Sequence, residues 1–376
     1  MDNDLVLARI LQGGGHETEC EVVRILEHGS TKFVGVVKKD RKSFYFLPDK
    51  DLGRRRITVS NYAQFPLVHD SKVLVEIDSF GKELSGHITK VLGYKYDPGI
   101  DILSLLVEND IYTEFDKDTL EEIRNVPSAI DERMIDKDRH DLRDLQTITI
   151  DGDDARDFDD AISIKKIPEG YRLWVHIADV SYYVRPGTAL DKEAYRRGTS
   201  VYVTDRVVPM LPQVLSNGIC SLNEGEDRLA FSAIMQLDHE GHMTSYRFEK
   251  TLIRSVVKGV YVEINSIFDG TASAEILRKY ERVIPTLQDM KELLGKLIRN
   301  RDERGGLDLE STESKIILDQ NGLAIDIQPR HSGLSENMIE EFMLLANTAA
   351  ASFGLEHELP FLFRVHDNPP SEKIEV

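Results

Sequence analysis

TITIDGDDARDFDDAI, residues 147–162, sets six aspartates between Asp151 and Asp160 with one cation, Arg156, among them. Two carboxylates ~4 Å apart repel by roughly 4 kcal/mol at an effective dielectric near 20. A fold therefore gathers such a run only where the side chains stay in water or a cation offsets them. The flanks help to decide. TITID alternates as a half-buried strand does, and AISI opens another strand straight after Asp160. A strand, a short loop and a returning strand would bring both ends of the cluster to one place. Asp157 and Asp159 then share one face of the extended chain and Asp160 takes the other. Asp153 and Asp154 read as solvated loop acids. Asp159 and Asp160, set between Phe158 and the apolar AISI, need a partner, because a charge beside apolar neighbours is costly unless compensated. Hard oxygens in such a pocket suit Mg2+, which takes one or two carboxylates and keeps positions for water and phosphate.

Two other acidic motifs fail on spacing. A calcium-binding EF-hand loop starting at Asp151 requires an oxygen ligand, a glycine and a glutamate at its fifth, sixth and twelfth positions, where this chain has Ala155, Arg156 and Ile162. The D-x-D-x-T/V pattern of aspartate-nucleophile phosphatases ends here on Ala155 instead.

Outward from the cluster, DDAISIKKI and YRLWVHIADVSYYV read as strands turned by Pro168–Gly170. IPTLQDMKELLGKLIRNRDERGG spaces Leu287, Met290, Leu294, Leu297 and Ile298 as a helix and stops at Gly305–Gly306. SENMIEEFMLLANTAAASFG reads as a helix capped by Ser335 and closed at Gly354. Strands mixed with long helices give an α+β domain over residues 139–376. Upstream, CEVVRIL, KFVGVVKK, SFYFLP, RITVS, KVLVEI and LSGHITKVLG are short strand-like runs parted by turn residues, which suits a small OB-fold β-barrel over residues 18–95. Residues 96–138 form a connector in which TEFDKDTLEEIRNV is helical. Residues 1–17 read as a remnant of a preceding domain, with LVLARI lacking a strand to pair with, and NPPSEKIEV ends on a helix start signal, so the chain reads as cut at both ends.

The 376 residues are 41% hydrophobic and 30% charged, enough for two or three domains with cores of their own. The apolar runs are short of a membrane span and no signal-peptide layout opens the chain. The two cysteines, Cys20 and Cys220, form neither a disulfide framework nor a paired metal motif and read as small buried residues of a cytoplasmic protein. A net charge of -19 argues against a nucleic-acid partner when taken as an average. Local clusters point the other way: Lys38, Lys39, Arg41 and Lys42; Arg54, Arg55 and Arg56; Arg196 and Arg197.

The aspartate run resembles the signature of the RNB exoribonucleases, the ribonuclease II and ribonuclease R group, the bacterial ribonuclease R branch being the nearer. RHDLRDL, WVHIADVSYYV, GTSVYVTDRVVPMLPQVLSNGICSLN, ERGGLDLE, MIEEFMLLAN and FRVHDNP continue the likeness through residues 139–376. The resemblance implies a multidomain chain with a cold-shock-like OB-fold barrel ahead of an incomplete α+β RNB catalytic domain. It also implies Mg2+-dependent 3′→5′ hydrolysis of single-stranded RNA ends to nucleoside 5′-monophosphates. On it, Asp151 and Asp160 hold metal, Asp157 completes the acidic quartet and Asp159 is the aspartate most tied to the chemical step. It makes Tyr202 the aromatic that packs on the 3′-terminal base, and Glu341, of the pair Glu340–Glu341, a contact to the terminal ribose.

Phe44 and Phe46 alternate onto one face of the barrel run beside Lys38, Lys39 and Lys42, as a single-strand RNA platform does, although core filling suits Phe46 nearly as well. His176, next to Trp174 in a strand, reads as structural, and Asp179 as support for the site. The family's catalytic domain runs past the position of Val376 and carries there an arginine for the scissile phosphate. The expectation is therefore a monomeric enzyme without an organic cofactor, and, as the alternative, a catalytically inactive RNA-binding fragment of one.

Overall fold

The computed structural model describes residues 4–11, 19–40, 43–50, 56–80, 83–306, 313–330, 332–365 and 367. Arg41, Lys42, Arg54, Arg55 and the helix start expected at 368–376 lie outside the described residues. The chain forms two compact units, one of Met1–Phe115, Arg197–Met210 and Ser314–Gln328, the other of Asp116–Arg196, Leu211–Glu313 and Pro329–Val376.

In the first unit, β1 (Leu5–Ile10) and β2 (Cys20–Glu27) pair with each other as an antiparallel hairpin. CEVVRIL is thus no barrel strand, and LVLARI has the neighbour that the sequence reading denied it. The reason lies in the pattern: Val22, Val23, Ile25 and Leu26 do not alternate, so neither face of β2 is apolar enough to line a barrel, and the strand is exposed along its length. Cys20 is exposed there, while Cys220 is buried as expected.

The barrel closes with five strands, β3 (Lys32–Asp40), β4 (Ser43–Pro48), β5 (Ile57–Val59), β6 (Ser71–Phe80) and β7 (Leu84–Tyr94), in the order β3-β4-β5-β7-β6. Phe33, Val37, Phe46, Ile57, Val73, Val75 and Ile88 fill it. Gly35 lets β4 approach closely, since a Cβ there would lie 2.2 Å from the Leu47 carbonyl oxygen. The helix α1 (Ile100–Glu108), which the sequence reading leaves inside a connector, packs on β3 and β7.

The second unit starts with α2 (Lys117–Glu122), capped by Asp116, whose carboxylate accepts the Thr119 N–H at 2.8 Å. Next come β8 (His140–Asp141), β9 (Thr147–Asp151), β10 (Asp160–Ile167) and β11 (Gly170–Ala178). VSYY is a helical turn, α3 (Val180–Tyr183), and not the end of a strand. α4 (Ala189–Arg197) follows, then the hairpin of β12 (Val201–Val203) and β13 (Arg206–Val208) in the first unit. The chain returns through β14 (Asp227–Leu237) and β15 (Met243–Val260).

The sheet order is β14-β11-β10-β9-β15-β8, and β15 also pairs with β14. Its first part, from Met243 to Arg254, runs beside β14, and its end, from Ser255 to Val260, beside β9, so the sheet curls back on itself. One face carries Ile148, Ile150, Ile162, Leu173 and Val175 against α5 (Tyr261–Asp269), α6 (Ala274–Tyr280), α7 (Ile284–Glu303) and the final helix. Leu287, Met290, Leu294 and Leu297 of α7 point into this core at the spacing read from sequence. β16 (Glu313–Leu318) and β17 (Ala324–Arg330) form a hairpin.

The last helix, α8 (Leu334–Glu356), begins before Ser335 and runs through Gly354. Ser335 is not its cap: its N–H donates to Asn265 Oδ1 and its Oγ to the Tyr261 carbonyl, which docks the helix on α5. TITID is more buried than its alternation predicts, because sheet neighbours and core cover both of its faces.

Candidate active site

β9 delivers Asp151 at its last residue and β10 begins at Asp160, with Ile162 opposite Ile148. The two ends of the cluster are thus neighbours in one sheet. Between them, Ala155 N–H closes a turn on the Gly152 carbonyl at 3.3 Å. Asp153 and Asp154 are exposed, as solvated loop acids are. Phe158 is buried among Leu190, Leu215 and Ile219 and anchors the loop. Its neighbours Asp157 and Asp159 are less covered; Asp159 opens to solvent and Asp160 is half-buried. Arg156 is exposed.

The electrostatics tie these acids together. Burial first, and then the charges of Asp159 and Asp151, push the Asp160 carboxyl up to about 7. Asp160 Oδ2 is buried without a hydrogen-bond partner. Asp159 is also raised, by loss of water around it and then by Asp151 and Asp157. Asp151 Oδ1 accepts the Gly152 N–H at 2.7 Å. Among the described residues no group of three acidic, histidine or cysteine side chains stands where it could hold a metal ion. The donor set still fits a hard divalent ion: several carboxylates act on one another, and one buried oxygen lacks a partner.

Residues not singled out in the sequence hold the loop. Ser221 Oγ accepts the Phe158 N–H and donates to the Arg156 carbonyl, both at 3.0 Å. Leu222 N–H donates to the Phe158 carbonyl at 2.8 Å, and Ala178 N–H to that of Asp159 at 2.9 Å. Lys258 Nζ donates to the Ala155 carbonyl at 3.1 Å and stands 4.9 Å from the Phe158 ring centre. Ser221 lies in the quoted SNGICSLN stretch, which was the available signal; Lys258 had none.

The other candidates divide. Tyr202 in β12 is 68% exposed, so it is not a core residue of a half-buried strand. Phe46 is 0% exposed in the barrel core, which removes it from any RNA platform. Phe44 shares that inward face, half-buried beside Tyr62, while the opposite face carries Lys38 across from Tyr45, with Arg56 over the Tyr45 ring. The closed barrel turns the Phe46 ring inward and leaves Phe44 partly exposed. Lys38 itself is paired with Asp70.

Glu341 is 5% exposed and ion-paired with Arg301 of α7 at 2.7 Å, whereas Glu340 is exposed. The geometry makes Glu341 an anchor between two helices. His176 is buried, structural as expected, between Ser163 Oγ at 3.1 Å and Ser232 Oγ at 2.7 Å. Asp179 forms a buried ion pair with Arg139 at 2.7 Å.

Residues 139–376 match the RNB domain family. The chain belongs to the RNB family. A cold-shock domain matches residues 45–116, ahead of the RNB region. Among RNB relatives, ribonuclease R of Thermotoga maritima is 41% identical over 360 residues, covering 94% of this chain and 50% of that protein. Ribonuclease R 1 of Lactococcus lactis is 39% identical, covering 93% of this chain and 42% of its own length. The chain therefore spans about half the length of the curated relatives it matches. The structure of Mycoplasma genitalium RNase R in complex with ribose methylated single-stranded RNA superposes with a TM-score of 0.91 at 28% identity, covering 99% of this chain and 59% of that one.

Proposed function

We propose that this chain carries the metal-holding part of a Mg2+-dependent 3′→5′ exoribonuclease that hydrolyses RNA phosphodiester bonds and releases nucleoside 5′-monophosphates. One observation carries the reading: Asp160 is a half-buried carboxylate with one buried, unpartnered oxygen, raised to about 7 by burial and by its acidic neighbours. A carboxylate kept in that condition is suited to a cation. The fold of an RNA-bound ribonuclease R supports the choice of substrate.

On this reading Asp151 and Asp160 hold Mg2+, with Asp157 completing the acidic set. When bound, Mg2+ supplies an activated water and a stabilised leaving oxygen. Asp160, raised to about 7, would have to lose its proton to hold the cation. Asp159, whose carboxyl is raised by loss of water around it and then by Asp151 and Asp157, is the group placed to take up the proton of the attacking water. Tyr202 stacks on the terminal base, a contact worth about 1–3 kcal/mol whatever the sequence. The divisions at 18–95, 96–138 and 139–376, the monomeric state, the lack of an organic cofactor and the cytoplasmic setting belong to the same proposal.

A second reading, an RNA-binding fragment without turnover, is favoured by the half-length match to the relatives. Incubation with a 3′-tailed RNA and Mg2+ separates the two. The expected outcome is weak or no mononucleotide release from these 376 residues and full release from a form extended to the relatives' length. In that longer form Asp159→Asn binds RNA and does not cleave it. Cleavage that persists in a chelator or in Asp159→Asn removes the aspartates from the reaction.

A further inference from the structure

Six like charges in ten residues push the loop apart, so something must hold its backbone in shape. Ser221 is 1% exposed and binds the loop at two points, the Phe158 N–H and the Arg156 carbonyl. It is itself fixed by Arg228, whose Nε donates to the Ser221 carbonyl at 2.7 Å. From β15, Lys258 donates to the Ala155 carbonyl and sets its ammonium by the Phe158 ring. The Ser221 hydroxyl is spent on loop backbone and the Asn223 side-chain oxygen, and the Lys258 ammonium on loop backbone and the Phe158 ring, neither on a carboxylate. The Lys258 ammonium thus sets a positive charge beside a repelling loop.

We propose that Ser221 and Lys258 are positioning residues that clamp the 155–158 backbone from two elements, so that Asp157 and Asp159 face the same divalent cation as Asp151 and Asp160. The proposal rests on the metal reading above and adds the groups that prepare the site. Outer groups that orient metal ligands typically change metal affinity 10–100-fold when removed. Ser221→Ala leaves the Phe158 N–H and the Arg156 carbonyl unpartnered, and Lys258→Met keeps the length of the side chain while losing the donor and the charge.

The test is a Mn2+ titration of the full chain, followed by electron paramagnetic resonance, for the parent, Ser221→Ala, Lys258→Met and Lys258→Arg. Thermal melting and amide exchange at Phe158 are measured beside it. Ser221→Ala and Lys258→Met should each weaken Mn2+ by about tenfold or more, speed exchange at Phe158 and keep a cooperative melt. Lys258→Arg, which retains a donor and a cation by the ring, should recover most of the affinity. Parent-like Mn2+ binding in both Ser221→Ala and Lys258→Met overturns the clamp alone. Equal loss in Lys258→Arg and Lys258→Met overturns the role of Lys258 as a donor. A parent chain that binds no Mn2+ overturns the metal reading and the clamp with it. If Ser221→Ala fails to fold, the two Lys258 variants carry the decision.

Discussion

The fold holds Asp160 against its own ionisation. An aspartate has an ordinary pKa of 3.8, and in the folded chain this one lies at about 7. Below pH 3.8 it is protonated in both states and costs nothing. Between 3.8 and 7 the unfolded chain ionises first, so stability falls as pH rises, and above 7 the full penalty remains. Asp160→Asn should therefore be more stable than the parent at pH 8 without metal, by roughly 1–3 kcal/mol, and nearly equal to it near pH 4. Urea unfolding in a chelator at both pH values checks this; a destabilised variant at pH 8 contradicts it. If Asp160 holds Mg2+ as proposed, the ion displaces the same proton, so its apparent affinity should rise from pH 6 to pH 8, and calorimetry should detect proton release in that window. Tyr202, exposed on a short hairpin, is the converse case: Tyr202→Ala should lose about 1–3 kcal/mol of single-strand RNA affinity with the melting temperature unchanged.

At the scale of elements, the curled sheet contains a buried polar row. Thr147, Ser163, His176, Ser232 and Thr251 hydrogen-bond in sequence across β9, β10, β11, β14 and β15. Burial lowers His176 to about 3, so it stays neutral in the folded sheet. The unfolded chain protonates it near pH 6.5. The stability it contributes is therefore complete above 6.5 and drains away as pH falls toward 3, by about 3 kcal/mol at pH 4. His176→Asn should show a flatter stability profile between pH 7 and pH 4 than the parent, whatever its offset at pH 7. The barrel offers a plainer contrast. Phe46→Ala should cost about 3–5 kcal/mol, measured by the denaturant midpoint of the first unit, where an RNA-contacting ring on the surface would have cost little.

For the molecule as a whole, the net charge of -19 makes any cation mildly stabilising, and a specific site must exceed that background. Mg2+ at about a hundred times its dissociation constant should add ~2.7 kcal/mol to the unit that carries the aspartates, beyond the effect of NaCl at equal ionic strength. Asp160→Asn should abolish the excess, and an equal response in that variant places the binding elsewhere.

Much of this was legible from the chain. Period-two and helical spacing are local properties, and so are turn residues and crowded charge. They fixed the barrel strands from KFVGVVKK onward, the long helix after Ile284, and the placement of Asp151 and Asp160 at the facing ends of two strands. Contacts distant in sequence decided the rest. Lys258 meets Ala155 across 103 residues and Ser221 meets Phe158 across 63, so no spacing rule announces either one. Barrel closure put Phe46 inside, and the packing of α7 on α8 turned Glu341 inward and left Glu340 out. Desolvation set Asp160 apart from its neighbours. Burial depends on what the whole chain stacks around a side chain, and a run of six aspartates does not by itself reveal which of them will lose its water.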